Sequence, residues 1–294
     1  MKKKTRAPKK STSKQKTPTP RSPRAAWTVA TSARRPAAER IAAFAEAPLA
    51  VDESDANLQA ILNTLRDENE PIKVRLAALQ SLQAASFSAV TYPSWRSDYI
   101  ATLRTVAEDP DPEMRQRALG ILAREKDGFA QKKLLEGLRN PDKALVVPEK
   151  ALQLLSYDVH SEAYTVARKI ANDPPNPTAR REALRLLAAD AGSAPVFEKV
   201  LRDKSESPEI RQISAAALQA LKPERLQLYA REAVLDPSEH DDMRATSLTA
   251  LTQFGNAETI ASDKALLKRV DKLSGEAPTK VKQGARRFLS KYGK

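Results

Sequence analysis

The sequence predicts an all-α fold, an α-α superhelix of about seven stacked helical hairpins. A short amphipathic pattern recurs along the chain: an arginine is followed by small residues three and four places on and by a leucine at seven, as in Arg211, Ser214, Ala215 and Leu218. The anchor positions are 75, 115, 148, 180, 211, 244 and 282, so the copies lie 31 to 40 residues apart. A period in this range is typical of solenoids. The apolar content of 41% contains few aromatics, 5% of the chain, which suits tightly stacked helices rich in alanine and leucine.

The first 24 residues form a basic segment of different composition. They contain ten lysines or arginines and no acidic residue, whereas the other 270 residues carry 40 basic and 37 acidic residues, a net charge of +3. A segment with so few apolar residues cannot bury enough surface to offset its ordering entropy, so we expect a disordered tail over residues 1–24. Such a tail can serve as an arm for nucleic acid or an acidic partner, as an address signal, or as a solubilising segment.

A capping helix is expected next, within residues 25–50. Pro36 suits the first turn of a helix, and Ile41, Ala42, Phe44 and Ala45 fall on one face. The terminal elements of a solenoid cover one side of the core and meet water on the other. We therefore expect the solenoid to occupy residues 25–294, with the repeats proper over about 55–292.

Each repeat is expected to contain two helices. The first carries an apolar stripe such as Leu58, Ile61 and Leu65, and it ends at a turn rich in aspartate, asparagine and proline. A proline then stands near the start of the second helix, where its missing N–H costs little; Pro208 is an example.

An aspartate in the turn precedes the arginine of the second helix by six to eight residues in five repeats. Because the pair recurs at the same place in each unit, we interpret it as a structural ladder of hydrogen bonds between turns and helix starts and not as a catalytic pair. Each exposed pair contributes about 0–1 kcal/mol. The predicted pairs are Asp67/Arg75, Asp109/Arg115, Asp173/Arg180, Asp203/Arg211 and Asp236/Arg244.

This helix–turn–helix unit, with its turn aspartate and following arginine, resembles the HEAT repeat of armadillo-type α-solenoids over about residues 55–292. The third copy departs from the pattern, with Asn140 for the aspartate and Pro148 for the arginine, and the last has Lys282 in place of the arginine. The resemblance implies a right-handed superhelix whose second helices line the concave face. It is specific for the fold and weak for the function.

On the second helices, the positions two, five and nine residues after the anchor point away from the core. By the resemblance they would line the concave face, where basic residues of the second to fourth repeats form a patch. The alternative interpretation is ordinary solvated charge. The predicted partner-binding residues are Arg117, Arg124, Lys150, Gln153, Tyr157 and Arg185.

The longest connection between repeats, residues 84–99, holds four of the fourteen aromatic residues. Tyr92 and Trp95 are therefore candidates for an aromatic anchor at an interface. The alternative is that they cap the side of the first two repeats.

Known catalytic and metal-binding patterns are not apparent. The chain has no cysteine, which excludes disulfides and thiolate metal sites and fits a reducing compartment. His160 and His240 lie in different repeats without metal-ligand spacing, and no glycine-rich phosphate loop occurs. With no apolar run near the ~20 residues of a membrane span and no signal-peptide stretch, we expect a cytoplasmic protein, or a nuclear one in a eukaryote, without cofactor or metal.

These observations favour a monomeric, non-enzymatic scaffold that binds a protein partner with an acidic segment through the concave face. The alternative is nucleic-acid binding through residues 1–24 and the basic inner patch. A less favoured alternative is an enzyme, because the resemblance extends to HEAT-like DNA glycosylases and bilin lyases.

Overall fold

The computed structural model describes residues 23–46, 55–158 and 160–293. Residues 1–22 of the predicted tail lie outside the described residues, and its last two residues begin the first helix. The described residues form seventeen α-helices, two short 3-10 turns and no strand. The helices pack in adjacent pairs, so the predicted all-α fold of helical hairpins is confirmed.

The chain divides into two compact units, residues 1–106 and residues 107–294. In the first unit, α1 packs on α2 and α3 packs on α4, while α2 also contacts α4 and α3 contacts α5. The helices of this unit are α1 (Pro23–Ala30), α2 (Ala37–Glu46), α3 (Asp55–Arg66), α4 (Ile72–Ala85) and α5 (Tyr92–Val106).

The predicted single capping helix is wrong, because the structure has a hairpin of two helices, α1 and α2, in that part of the chain. The chain leaves α1 through a turn in which Ser32 N–H donates to the Val29 carbonyl, and α2 follows Pro36. The hairpin buries Trp27 edge-on against Phe44, with 6.1 Å between the ring centroids.

The second unit is a two-layer array. The first helices of its hairpins are α7, α9, α11, α13 and α16; the second helices α6, α8, α10, α12, α14 and α17 contact one another in that order and form what we call the second-helix layer. The helices are α6 (Pro112–Arg124), α7 (Gly128–Arg139), α8 (Pro148–Leu155), α9 (Ser161–Asn172), α10 (Pro177–Leu187), α11 (Ala194–Arg202), α12 (Pro208–Leu221), α13 (Pro223–Leu235), α14 (Asp241–Phe254), α15 (Ala257–Ser262), α16 (Lys264–Glu276) and α17 (Thr279–Tyr292).

Prolines and side-chain caps define where the second helices begin. Asp111 accepts hydrogen bonds from the backbone N–H groups of Glu113 and Met114, both at 2.9 Å, directly before a proline in the first turn of α6. Asn176 caps α10 in the same way, and Ser207 caps α12. These caps satisfy N–H groups that have no partner inside the helix, so the local sequence defines the start of these three second helices.

The anchor arginines close their own hairpins. The Nε of Arg211 donates to the Leu201 carbonyl at 2.9 Å, and the Nε of Arg75 donates to the Leu65 carbonyl at 3.0 Å. Arg180 makes the equivalent bond to a carbonyl of α9. Each bond satisfies a carbonyl at the end of a first helix, which has no partner inside that helix.

For some anchor arginines, the carboxylate partner is a glutamate in the turn between the two helices of the next hairpin. Arg211 pairs with Glu239 at 2.6 Å, and Arg180 pairs with Glu206 at 2.5 Å. The same two contacts occur before the predicted repeats, where Arg40 donates to the Ala30 carbonyl and pairs with Glu70. Each of these pairs links one hairpin to the next. We call them the forward bridges, and their members are Arg40–Glu70, Arg180–Glu206 and Arg211–Glu239.

The predicted aspartate–arginine pairs are therefore wrong for two repeats, Asp173/Arg180 and Asp203/Arg211, while Arg244 contacts the backbone carbonyl of Asp236 and not its carboxylate. The turn aspartates are occupied within their own turns: Asp203 accepts from the backbone N–H of Ser205 at 2.9 Å, and Asp236 accepts from that of Ser238 at 2.8 Å. This is the side-chain-to-backbone pattern of an Asx turn. Among the remaining residues, Arg115 donates to the backbone carbonyl of Asp109, and Asp67 accepts from the backbone N–H of Asn69. Arg244 also pairs with the carboxylate of Asp241 in its own helix.

Candidate functional site

The structure places the predicted partner-binding residues on adjacent helices of the second unit. Arg117 and Arg124 lie on α6, Lys150 and Gln153 on α8, and Arg185 on α10, while Tyr157 follows the end of α8. Because α6 contacts α8 and α8 contacts α10, these residues belong to one continuous part of the second-helix layer.

Two of the four predicted cations already have anionic partners. Arg117 pairs with Glu113 of the same helix at 2.7 Å, and Arg185 pairs with Glu182 at 2.7 Å. The pair of Arg117 and Glu113 is exposed and contributes little to stability, whereas Glu182 is buried. In both pairs, the glutamate offsets the charge of the arginine. This surface therefore carries fewer uncompensated positive charges than the sequence pattern indicates.

The uncompensated cations are Arg124 and Lys150, neither of which pairs with a carboxylate among the residues that the structure describes. The Nη1 of Arg124 lies 3.9 Å from where a β-carbon on Gly120 would stand, and the Leu154 side chain of α8 lies 4.0 Å from the same point. The guanidinium thus lies near Gly120 and Leu154, at the boundary between α6 and α8. With Tyr157, which is 50% exposed, we call these residues the basic patch: Arg124, Lys150 and Tyr157.

The predicted aromatic anchor is wrong for Trp95, which is 2% exposed and lies inside α5 of the first unit. Its ring packs against Tyr92 and Tyr99, with centroid distances of 5.0 and 5.4 Å, and Tyr92 itself is half-buried. The exposed apolar residues of this region are Phe87 and Val90, at 82% and 88% exposure. The rings form core because the predicted connection is helical from Tyr92 onward.

A cleft that sequence reasoning missed lies at the other end of the second-helix layer. It is bounded by α12, α14 and α17, has a volume of about 610 Å³, and we call it the C-terminal cleft. Small side chains such as Ala216 and Gly284 line it, with glutamines on all three helices. The signal in the sequence is the absence of charged residues at the outward positions of the fifth and sixth repeats, where Ala216, Thr246 and Thr249 stand.

The glutamines of the cleft have free amide groups. The side chains of Gln212, Gln253 and Gln283 have no hydrogen-bond partner among the described residues, and Gln219 Oε1 is shielded from solvent without a donor. The threonine hydroxyls are already used as donors; that of Thr249 donates to a carbonyl one turn earlier in α14, at 3.0 Å. The cleft therefore offers hydrogen-bond donors and acceptors mainly through carboxamides.

Charge at the cleft is limited to its rim. Lys280 of α17 donates to Asp242 of α14 at 2.7 Å, and this hydrogen bond holds the pKa of Asp242 below its usual value. Arg287, about two turns further along α17, is exposed and has no carboxylate partner within the described ranges. The rim thus carries one neutralised pair and one uncompensated positive charge.

Beneath the cleft, Tyr229 joins the forward bridge of Arg211 and Glu239. The Nη2 of Arg211 donates to the Tyr229 hydroxyl oxygen at 2.8 Å, and all three side chains are buried. Burial disfavours the phenolate and raises the pKa of Tyr229 to about 12, although the nearby Arg211 opposes the shift.

We expect this raised pKa to make folding sensitive to alkali. The unfolded chain releases the phenolic proton near pH 10, whereas the folded chain retains it, so the contribution is complete below pH 10 and is lost as the pH rises towards 12. Wild type should therefore lose about 1–3 kcal/mol more stability than Tyr229→Phe between pH 9 and 12. Urea unfolding at fixed pH values measures the difference; parallel pH profiles of the two proteins would contradict the expectation.

Comparisons with known proteins give similarity of fold only. No model of a known protein family matches the chain, and no curated protein matches it. The solved structure of human deoxyhypusine hydroxylase in complex with glycerol is similar, with 17% identity and a TM-score of 0.35 over 84% of this chain and 99% of that one. The helical-repeat class predicted from the sequence agrees with this similarity, while the HEAT assignment itself is not matched by a family.

The expected role as a non-enzymatic scaffold is corrected by this comparison. The similar structure is that of an enzyme. A helical repeat fold by itself does not exclude catalysis, because one fold can support many functions. At this TM-score, the similarity carries no information about the reaction or ligand of the present chain. No helix within the described ranges combines the length and the apolar character needed to cross a membrane.

Proposed function

We propose that the second-helix layer of residues 107–294 binds an anionic ligand at the basic patch, and that an acidic polypeptide segment is the ligand it fits. The observation that carries the proposal is the pair of uncompensated cations, Arg124 and Lys150, on two helices in contact. Binding at this surface is compatible with catalysis as well as with recognition alone.

Uncompensated cations bind a new carboxylate at lower cost than paired ones. A ligand carboxylate can form charge-assisted hydrogen bonds with Arg124 and Lys150 without displacing an intramolecular partner. Arg117 and Arg185 would first have to leave Glu113 and Glu182, so we assign them a flanking role. Gln153 is exposed on α8 beside Lys150 and offers a neutral hydrogen-bonding group.

We also propose that the hairpins are HEAT repeats and that residues 25–294 form one repeat array behind a separate tail, residues 1–24. The support is the repeated architecture: α4, α10 and α12 start at a proline or directly after one, and each carries an arginine whose Nε donates to a carbonyl at the end of the preceding helix. The ten basic residues of the tail are the proposed site for nucleic acid.

The test is a titration of a fluorescent deca-glutamate peptide, followed by anisotropy at low and moderate salt. We expect Arg124→Gln with Lys150→Gln to weaken binding about tenfold, because two charge-assisted contacts are lost. The matched control is Lys132→Gln with Lys268→Gln, which removes the same charge from exposed positions of first helices. Circular dichroism verifies that both double variants fold.

Equal losses in the two double variants would show that only net charge matters and would reject the patch. The same titration with duplex DNA, using wild type and a variant with glutamine at the ten basic tail positions, tests the tail. DNA binding that depends on the tail, without peptide binding, would assign ligand recognition to the tail and would also reject the patch.

A further inference from the structure

We infer that the C-terminal cleft is a second ligand site, separate from the basic patch, for a small anionic molecule that carries an amide-type edge. The inference goes beyond the proposed function and depends on different residues. Three features of the cleft carry it: its size and floor, its free carboxamides, and its single uncompensated charge.

The cleft has the dimensions of a small-molecule site. Its volume of about 610 Å³ lies within the range of roughly 300–1,000 Å³ found for ligand pockets. Its floor includes Ala215, Ala216, Ala245 and Gly284, so a ligand can approach the helix backbones closely. A β-carbon on Gly284 would stand 3.3 Å from Cβ of Leu248, so the glycine also permits the close approach of α17 to α14.

The carboxamides define the hydrogen-bonding character of the ligand. Gln212 on α12, Gln253 on α14 and Gln283 on α17 reach the cleft from three different helices. Each side-chain amide presents both a donor and an acceptor. The complementary ligand group is one that also pairs a donor with an acceptor, such as a peptide amide or the ring amide of a nucleobase.

The charges at the rim of the cleft define the sign of the charge that the ligand carries. Lys280 and Asp242 neutralise each other, so Arg287 supplies the net charge of the cleft. Because Arg287 and Gln283 are one helical turn apart on α17, they lie on the same face of that helix. A ligand whose acidic group contacts the guanidinium can therefore place its amide edge against the glutamines.

The test is isothermal titration calorimetry of the full chain with two probes of this chemistry. N-acetylglycylglycine combines an amide with a carboxylate, and guanosine monophosphate combines a ring amide with a phosphate. We expect at least one probe to bind, with Arg287→Gln weakening binding about tenfold and Gln253→Leu with Gln283→Leu weakening it by a similar factor.

Two control variants make these changes away from the cleft. Arg286→Gln removes the same charge one residue earlier, where the side chain contacts the Ser274 carbonyl of α16. Gln80→Leu changes an exposed glutamine on α4 of the first unit. Both controls should bind the probe as wild type does.

The outcomes separate this inference from the proposed function. Binding of one probe that is lost in the cleft variants and kept in Arg124→Gln/Lys150→Gln supports the site and identifies the source of its ligand. Failure of both probes to bind at millimolar concentration would overturn the inference. Binding that the cleft variants leave unchanged would overturn it as well, because the ligand would then lie elsewhere.

Discussion

Arg211→Met is expected to lower the free energy of unfolding by about 3–5 kcal/mol, because it leaves a buried carboxylate without its countercharge. Arg211 is 1% exposed and the Glu239 side chain 3% exposed, and the two are joined by bonds of 2.6 and 2.8 Å. The Leu201 carbonyl and the Tyr229 hydroxyl also lose their donor. Urea unfolding followed by circular dichroism at pH 7 measures the loss.

The pH dependence of this loss tests its cause. Burial alone raises the pKa of Glu239, but the hydrogen bonds from Arg211 and from the backbone N–H of His240 outweigh burial and lower the pKa below its usual value. A lowered carboxyl pKa stabilises the fold above the unfolded value of about 4.5, and this contribution is lost as the pH falls through the folded pKa. Without the arginine, Glu239 protonates readily, so the difference between variant and wild type should shrink at acidic pH.

Two further variants serve as controls for the prediction on Arg211→Met. Arg202→Met removes an arginine whose pairs with Glu198 and Glu232 are exposed, and it should cost less than about 1 kcal/mol. Combining Arg211→Met with Glu239→Leu removes both buried charges and should recover much of the stability. An Arg211→Met loss no larger than that of Arg202→Met would contradict a stabilising role for the forward bridge.

Gly137→Leu is expected to lower the free energy of unfolding by about 1–3 kcal/mol through overpacking. A β-carbon at this position of α7 would stand 2.9 Å from Cα of Ala144, a backbone atom that cannot rotate away. The matched substitution is Gly275→Leu on α16, where a β-carbon would meet nothing within 4 Å. There, the better helix propensity of leucine should leave the protein unchanged or more stable.

The same urea titrations compare the two variants. A loss in Gly137→Leu with no loss in Gly275→Leu is the expected pattern, whereas equal behaviour would show that the contact with Ala144 relaxes freely. The close contact lies within the irregular third repeat. Residues 140–147 cross the end of α7 as a 3-10 turn and an extended segment, and the Leu145 carbonyl there accepts from Nε of Arg115 at 3.1 Å.

The repeat register was predictable because the arginine, the small residues and the proline recur at fixed spacing. The hairpin of α1 and α2 follows the same rule, and Pro36, Arg40 and Ala43 contained the signal. The interval from Arg40 to Arg75 matches the intervals between the other repeats. This signal was overlooked because the segment was interpreted as a capping helix. The partner of the arginine was not predictable from the turn aspartate, because that side chain bonds to its own turn.

The candidate sites were harder to predict because periodicity shows which face a residue occupies but not which charges are paired. Arg117 and Arg124 are equivalent in the pattern, yet Arg117 has a glutamate one turn earlier on its helix and Arg124 lies over a glycine. Trp95 was misread because the start of α5 was placed too late. The C-terminal cleft is defined by small and uncharged residues, whose importance appears only when three helices are brought together.

The forward bridges give the chain a direction. In each bridge, the cation lies on the second helix of one hairpin and the anion lies in the turn between the two helices of the next, so the contact between Arg211 and Glu239 spans 28 residues along the chain. During synthesis from the N-terminus, a hairpin that contributes the cation of a forward bridge leaves the ribosome before the glutamate that neutralises it. The charge pair of that hairpin stays incomplete until the following hairpin has been made.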